Sequence, residues 1–244
     1  MTYFRLRRNK ILIMKTFVSS LFLSLLLFNC SSSNVQTNAQ EKIDNKSLKQ
    51  IFIEEEDKEI VQKEKQVIDE DKLTRAYLAS GCFWCVEAIY EHTKGVKEVY
   101  SGYAGGHTKN PTYESSNTGK TGHAEAVEII YDSSIISYKE LVDIYYGTQN
   151  IEQKNGQGND IGSQYRSILF YRSAIEKEVI EKKVTELKSI GLNPAAEIKK
   201  FEKFWMAEDY HQDYERLHPN QSYIRAVSVP RLNRFKADFP EFVK

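Results

Sequence analysis

The sequence predicts an α+β fold, a ferredoxin-like split βαβ sandwich with an added helix and a C-terminal tail, over residues 74–244. Three observations predict it. Apolar residues alternate along four strand-like segments, they recur at helical spacing in the segments between, and glycines or capping residues separate the two kinds of segment. The order strand, helix, strand, strand, helix, strand is that of a split βαβ unit.

The first strand covers residues 75–80 and leads directly into GCFWCVEAIYEHTKG. In that segment Val86, Ile89 and Tyr90 have the spacing of one helix face, and Gly95 suits the turn that ends a helix. The two cysteines of the segment therefore lie at the junction of a strand with the first turn of a helix.

The remaining elements follow at regular intervals. VKEVYSGYAGG and AEAVEIIYD predict the second and third strands, separated by a loop rich in Gly, Asn, Ser and Thr. Ser137 and Glu140 have capping-box spacing at the start of the second helix. YRSILFY predicts the fourth strand, and Ser173 with Glu176 opens a longer charged helix that ends at Gly191.

The chain begins with a segment typical of export. Residues 1–29 contain five Lys or Arg and no acid, and their apolar run is too short to span a bilayer, which predicts a signal peptide. Leu27-Phe28-Asn29-Cys30 resembles a bacterial lipobox, so Cys30 is expected to carry a lipid. An ordinary secretory signal or an uncleaved anchor is the alternative. Residues 30–73 are polar and predict a flexible tether.

These features predict a lipoprotein of a bacterial envelope, periplasmic or on the outer surface, held to its membrane through the lipid only. The whole chain has no net charge, and removing the five basic residues of the leader leaves 0 − 5 = −5. A mildly acidic body offers no basic surface for nucleic acid.

The cysteine count limits the chemistry. If Cys30 is lipidated, Cys82 and Cys85 are the only thiols left. Two thiols cannot fill a tetrahedral zinc site, and the five histidines include no pair at the spacing of a zinc motif, so no metal is expected. A redox pair is the leading interpretation in an exported protein, and a structural disulfide is the alternative.

The position of Cys82 predicts a reactive thiol. Free N–H groups and the positive end of a helix dipole favour the thiolate, so the sequence predicts a pKa below the free value of about 8.5. Phe83 and Trp84 offer an apolar wall for a substrate with a small apolar group beside an electrophilic atom. The alternative is that both rings only anchor the core.

Five segments in order, GCFWCVE, NPTYE, TGHAEAVEIIYD, QGNDIGSQYRS and AEDYHQDY, resemble the A-type peptide methionine sulfoxide reductases. The resemblance covers the chain from about Thr74 to Tyr214. It implies reduction of the S epimer of methionine sulfoxide, free or in oxidised proteins, as a repair reaction in oxidative stress. It also implies that no metal or organic cofactor takes part.

The resemblance assigns roles to residues of this chain. Cys82 is the nucleophile, and Phe83 with Trp84 surrounds the S-methyl group of the substrate. Glu125 is the acid that meets the sulfoxide oxygen, and burial of its strand would raise its pKa. The polar side of the pocket consists of Tyr113, Asp160 and Tyr165. His123 and His211 are expected to have structural roles.

The tail contains no cysteine, which directs attention to Cys85 as the thiol that resolves the oxidised Cys82. A thioredoxin-like external dithiol would then reopen the disulfide, and the protein is expected to act as a monomer. Alternatively, Cys85 is a buried spectator and an external thiol regenerates Cys82 directly.

One segment departs from the family pattern. Gln149-Asn150-Ile151 stands where the family has HDP or a close variant, which puts the hydrogen bonding of that loop in question. Two competing functions are a general thiol–disulfide oxidoreductase that uses the Cys82–Cys85 pair, and a lipoprotein without enzymatic activity.

Overall fold

A computed structural model describes residues 73–244. The predicted signal peptide, Cys30 and the predicted tether up to residue 72 lie outside these described residues, and Leu73, the last residue assigned to the tether, is the first residue of a strand. Within them, no helix combines the length and apolarity needed to cross a membrane.

The strands are β1 (Leu73–Ala79), β2 (Val96–Ala104), β3 (Ala124–Asp132), β4 (Gly156–Gln157), β5 (Asp160–Ile161), β6 (Ile168–Tyr171), β7 (Glu197–Lys200) and β8 (Phe204–Met206). The α-helices are α1 (Phe83–Glu91), α2 (Tyr113–Asn117), α3 (Tyr138–Gly147), α4 (Ala174–Ser189), α5 (Tyr214–Leu217) and α6 (Val229–Asp238). Single 3₁₀ turns lie at Ser163–Tyr165, Asp209–His211 and Pro240–Phe242, and a π-helical turn at Ile224–Ser228 leads into α6.

Six strands form one sheet in the order β7-β6-β1-β3-β2-β8. Its four central strands, β6-β1-β3-β2, are antiparallel neighbours connected as in a split βαβ unit. The predicted fold class is therefore confirmed. β7 extends the sheet in parallel with β6, and β8 pairs antiparallel with β2.

Alternation along the strands divides the sheet into two buried faces. Val127 and Ile129 of β3 contribute to the core on the helix side, whereas Ala124 and Ala126 lie in the smaller core on the opposite side. Glu125 has the same parity as Val127. The strand period therefore directs its carboxyl toward α1, and this alternation positions the site.

Hydrogen bonds connect the two main helices to this framework. The hydroxyl of Tyr90 in α1 donates to the carbonyl of Leu141 in α3 at 2.9 Å, and Tyr145 donates to the carbonyl of Ala79 at 2.9 Å. The predicted capping box at Ser137 and Glu140 is present. These contacts hold the end of β1, where the cysteines follow, against the helical layer.

Some elements were not predicted from the sequence. The loop before β3 contains α2, and β6 begins at Ile168 because residues 163–165 form a 3₁₀ turn instead of continuing the strand. The C-terminal tail is largely helical and buries Ile224, Leu232 and Phe235. The tail thus packs on the core instead of trailing from it.

Candidate active site

Cys82 occupies the N-cap of α1, directly after the turn that leaves β1. Gly81 makes this turn with φ +77°, a conformation that favours glycine. A Cβ at Gly81 would lie 2.5 Å from Cβ of Gln157, so glycine also permits the approach of that side chain. Cys82 is left 6% exposed.

The two thiols form a buried, reduced pair. Both are free, and they hydrogen-bond to each other. Burial, followed by the neighbouring Cys85, raises the pKa of Cys82 well above its usual value. The prediction of a lowered pKa for Cys82 is therefore wrong for the substrate-free protein, because loss of hydration outweighs the helix dipole.

Of the two thiols, Cys85 ionises more readily than Cys82. Its hydrogen bond from Cys82 lowers the pKa of Cys85 to about 7, with further help from Arg231, Ser228 and Tyr223. When the pair is ionised, its negative charge therefore lies on Cys85, one turn into α1 and next to the thiol of Cys82. A proton passed from Cys82 to Cys85 would generate the nucleophile without leaving the pair.

Glu125 lies beneath the first residue of α1. One of its carboxyl oxygens, Oε2, accepts a hydrogen bond from the backbone N–H of Phe83 at 3.0 Å, and the residue is only 2% exposed. Burial raises the pKa of Glu125 to about 8, with a smaller contribution from the negative charge of Asp160. The expected elevation is confirmed, and the carboxyl is mostly protonated at neutral pH.

The aromatic side of the site is a cluster of stacked and tilted rings. Trp84 stacks on Tyr214 with ring centroids 3.7 Å apart, and its Nε1 donates to Nδ1 of His211 at 3.1 Å. The ring of His211 also lies 4.9 Å from Phe83 and 4.6 Å from Tyr113. His211 therefore orients the Trp84 indole. Burial lowers its pKa, which keeps it neutral and able to accept this bond.

The polar side brings together the predicted tyrosines and aspartate. Tyr113 and Tyr165 hydrogen-bond to each other. Burial raises the pKa of both phenols, so both remain protonated donors at neutral pH, and each interacts electrostatically with Cys82 and Glu125. Asp160 also interacts with Tyr165 and Glu125. The structure thus gathers every predicted site residue of the described chain around Cys82.

The loop whose sequence departs from the family pattern, Gln149-Asn150-Ile151, is hydrogen-bonded to neighbouring segments. Oε1 of Gln149 accepts from the hydroxyls of Ser80 and Ser167 at 2.7 and 2.8 Å and from Nε2 of Gln157 at 3.1 Å. Oε1 of Gln157 in turn accepts from the N–H of Asn150 at 2.7 Å. Gln149 therefore joins this loop to the end of β1.

Comparison with known proteins agrees with the chemistry that this geometry indicates. A family model described as peptide methionine sulfoxide reductase matches residues 74–242. The chain belongs to this family. As a peptide methionine sulfoxide reductase it is a thiol-dependent oxidoreductase, and the competing functions of a general disulfide oxidoreductase and a non-enzymatic lipoprotein are not favoured.

Relatives and solved structures agree. The chain is 46% identical to peptide methionine sulfoxide reductase MsrA of Saccharolobus solfataricus over 170 residues, which cover 69% of this chain and 96% of the relative. The enzyme of Pasteurella multocida is 42% identical over 70% and 98% of the two chains. Mxr1 of Saccharomyces cerevisiae in reduced form superposes with a TM-score of 0.59 at 31% identity, covering 63% of this chain and 90% of that one.

Sequence reasoning missed several residues around the site of this reductase. Glu208 accepts from the backbone N–H of Tyr113 at 2.9 Å and from the hydroxyl of Tyr103 at 2.8 Å. Tyr223 donates to Asp160 at 2.6 Å. Glu208 lies within AEDYHQDY, which could have drawn attention to it. The tail that contributes Tyr223 carries no such signal in its sequence.

Proposed function

We propose that this reductase repairs oxidised proteins by reducing the S epimer of methionine sulfoxide, bound in a chain or free, with Cys82 as the nucleophile. One observation supports this most directly: a thiol at a helix N-terminus lies beside a buried carboxyl that is protonated at neutral pH. A sulfoxide is a poor electrophile until its oxygen is protonated or strongly hydrogen-bonded, and Glu125 can supply that proton.

The first half-reaction transfers oxygen to the enzyme. Cys82 passes its proton to Cys85, and the resulting Cys82 thiolate attacks the sulfoxide sulfur while Glu125 protonates the oxygen. The oxygen then moves to Cys82, giving a sulfenic acid, methionine and the Glu125 carboxylate. The sulfoxide is reduced by two electrons and the cysteine is oxidised by two.

Substrate recognition would use both sides of the site. The S-methyl group is placed against Phe83 and Trp84, whose rings the cluster around His211 holds in position. The oxygen faces Glu125 and the protonated phenols of Tyr113 and Tyr165. Asp160 fixes the polar rim through its hydrogen bond from Tyr223.

The second half-reaction would use Cys85. The Cys85 thiolate attacks the sulfenic sulfur of Cys82, the S–O bond breaks, and the oxygen leaves as water after protonation. A thioredoxin-like dithiol of the same compartment then reduces the disulfide by exchange, and no metal or organic cofactor is required. We also propose that the protein acts as a monomer.

Turnover with dithiothreitol on a peptide that contains methionine sulfoxide tests the activity. We expect methionine to form from the S epimer, and the R epimer to serve as the matched control. Absence of turnover on the S epimer would refute the proposed function, whereas absence of turnover on the R epimer is the expected control result. Turnover of a disulfide substrate alone would instead support a general thiol–disulfide oxidoreductase.

Replacing Cys85 by serine is expected to preserve the yield of one round of chemistry but to slow it, because Cys85 is the base that receives the proton of Cys82. The variant should release about one methionine per enzyme and accumulate the Cys82 sulfenic acid, because no second thiol lies beside it. A sulfenic-acid trap and methionine quantification measure both products. Turnover with thioredoxin at the wild-type rate would show that Cys85 is a spectator.

We further propose that the protein is a lipoprotein of the bacterial envelope, anchored through Cys30 and exposed in the periplasm or on the outer surface. The basic leader, the short apolar run and the lipobox-like LFNC support this. Removal of residues 1–29 would make Cys30 the lipidated first residue, and residues 30–73 would connect it to the enzyme.

Replacing Cys30 by alanine is expected to release the protein from membranes into the soluble exported fraction, because the lipid would be its only stable anchor. Fractionation and immunoblotting measure the distribution, and Ser31→Ala is the matched control that should remain membrane-bound. Membrane association of the Cys30→Ala protein would indicate an uncleaved signal segment instead.

A further inference from the structure

The C-terminal segment covers the second cysteine of the pair. Cys85 is 1% exposed, and the hydroxyl of Tyr223 lies 3.7 Å from its Sγ. Ser228, one turn further along the same segment, also lies close enough to influence this thiol, and its hydroxyl donates to Glu215. Two residues of a tail that contains no cysteine therefore lie beside Cys85.

Arg231 is a buried cation in the same segment. Its side chain is 7% exposed in the structure. It donates from Nε to the carbonyl of Thr148 at 2.9 Å, from Nη1 to the carbonyl of Ser80 at 2.9 Å, and from Nη2 to the hydroxyl of Ser80 at 2.8 Å. Nη1 would also lie 3.8 Å from a Cβ placed on Gly81, the residue before Cys82.

The hydrogen bonds that Arg231 makes within residues 73–244 all go to neutral oxygens. A buried charge is costly unless an opposite charge compensates it. Cys85 supplies that charge when it ionises, since the two groups attract each other electrostatically. Other titratable groups act on the thiol pair or on Arg231, or are bonded to this segment. They are Cys82, Glu125, Tyr113, Tyr165, Tyr90, Tyr145, Asp160, Tyr223 and Glu215, the last through Ser228.

We propose that Arg231 is a positioning residue for the resolving step, in which its buried guanidinium is the counter-ion that stabilises the thiolate of Cys85. Tyr223 and Ser228 lie beside the same sulfur and donate their hydroxyl protons to Asp160 and Glu215, so Arg231 is the group of this segment that brings positive charge to the thiolate. The inference rests on the proposed role of Cys85 as the resolving thiol. It assigns to the tail a chemical task in addition to packing.

The resolving step needs no reactant other than Cys85 and the sulfenic acid of Cys82. The thiolate of Cys85 forms a bond to the sulfur of Cys82, the S–O bond of the sulfenic acid breaks, and the leaving oxygen is protonated to water. Cys85 is oxidised and the sulfenic sulfur is reduced. After oxygen transfer Cys85 holds the proton received from Cys82, so the rate of resolution depends on how readily it ionises again.

The pH profile of disulfide formation tests this inference. The enzyme reacts once with methionine sulfoxide, and the Cys82–Cys85 disulfide is quantified over time by quenching and mass spectrometry between pH 5.5 and 9.5. The proteins compared are wild type, Arg231→Met, Arg231→Gln and Arg231→Lys. Arg225→Met removes an exposed arginine of the same segment and is the matched control.

For Arg231→Met we expect the midpoint of the profile to rise by about one unit or more relative to wild type, because loss of a nearby cation disfavours the thiolate of Cys85. Below the midpoint, a one-unit rise in the pKa of Cys85 lowers the thiolate fraction about tenfold. The remaining thiolate is a stronger nucleophile, with a Brønsted coefficient of about 0.4–0.5, so the net slowing is roughly threefold. Above both midpoints the variant should be roughly threefold faster. A merely structural defect would slow the step at every pH.

Arg231→Lys keeps the charge and should retain the wild-type midpoint, and Arg225→Met should match wild type. If Arg231→Met does not fold, Arg231→Gln supplies the test, since it removes the charge, keeps an amide donor and should raise the midpoint in the same way. An unchanged midpoint in the folded variants that lack the charge at position 231 would overturn the role of this segment alone. Absence of the disulfide in wild type would overturn both this inference and the resolving role of Cys85.

Discussion

Replacing Cys82 by serine is expected to abolish reduction of methionine sulfoxide. A serine hydroxyl is not ionised at neutral pH, and it cannot form the sulfenic acid that takes up the oxygen. The loss should be complete both in steady-state turnover with dithiothreitol and in a single round without reductant. Methionine release from a sulfoxide peptide, followed by chromatography, measures both.

The matched control is Cys30→Ser, which makes the same change at the cysteine outside the described residues and should keep full activity. Circular dichroism of the Cys82→Ser protein checks that the fold is retained. Turnover of that protein above the uncatalysed background would place the nucleophile elsewhere in the chain.

Glu125→Gln is expected to slow the oxygen-transfer step by roughly 10²–10⁴-fold, the range for loss of a general acid. The amide keeps the shape of the side chain and can still hydrogen-bond, but it cannot transfer a proton. Substrate binding should persist, so the loss should fall on the single-turnover rate. The control Glu128→Gln changes a glutamate of the same strand that pairs with Tyr77 and Arg75 instead.

The pH dependence gives a second signature of Glu125. Its pKa of about 8 means that the acid form is present below pH 8 and is lost as the pH rises beyond it. The wild-type rate of oxygen transfer should therefore fall on the alkaline side of pH 8, and this decline should be absent in Glu125→Gln. Equal single-turnover rates in wild type and Glu125→Gln would show that Glu125 is not the acid.

Local sequence patterns predicted the regular elements that carry the site. The helix pattern after Gly81 places Cys82 at the start of α1, and the alternation of β3 explains why Glu125 lies on the same face as Val127. The five family segments identified Glu125 and the residues that lie in loops, such as Asp160, as parts of the site.

The other contacts of the site depend on tertiary packing. Tyr223 is 138 positions from Cys85 along the chain, and Arg231 reaches Ser80 across 151 positions, so no local pattern could place either beside the thiol pair. The pKa of Cys82 depends on the same packing. The helix dipole was visible in the sequence, but the complete burial that outweighs it was not.

Stoichiometric reaction in the absence of any reductant shows whether Cys82 and Cys85 themselves reduce the sulfoxide. The wild-type protein is mixed with an excess of a peptide that contains the S epimer of methionine sulfoxide, and both the methionine and the cysteine peptides are quantified. The account predicts about one methionine per enzyme together with a Cys82–Cys85 disulfide. Release of no methionine, or of methionine with both cysteines still reduced, would contradict it.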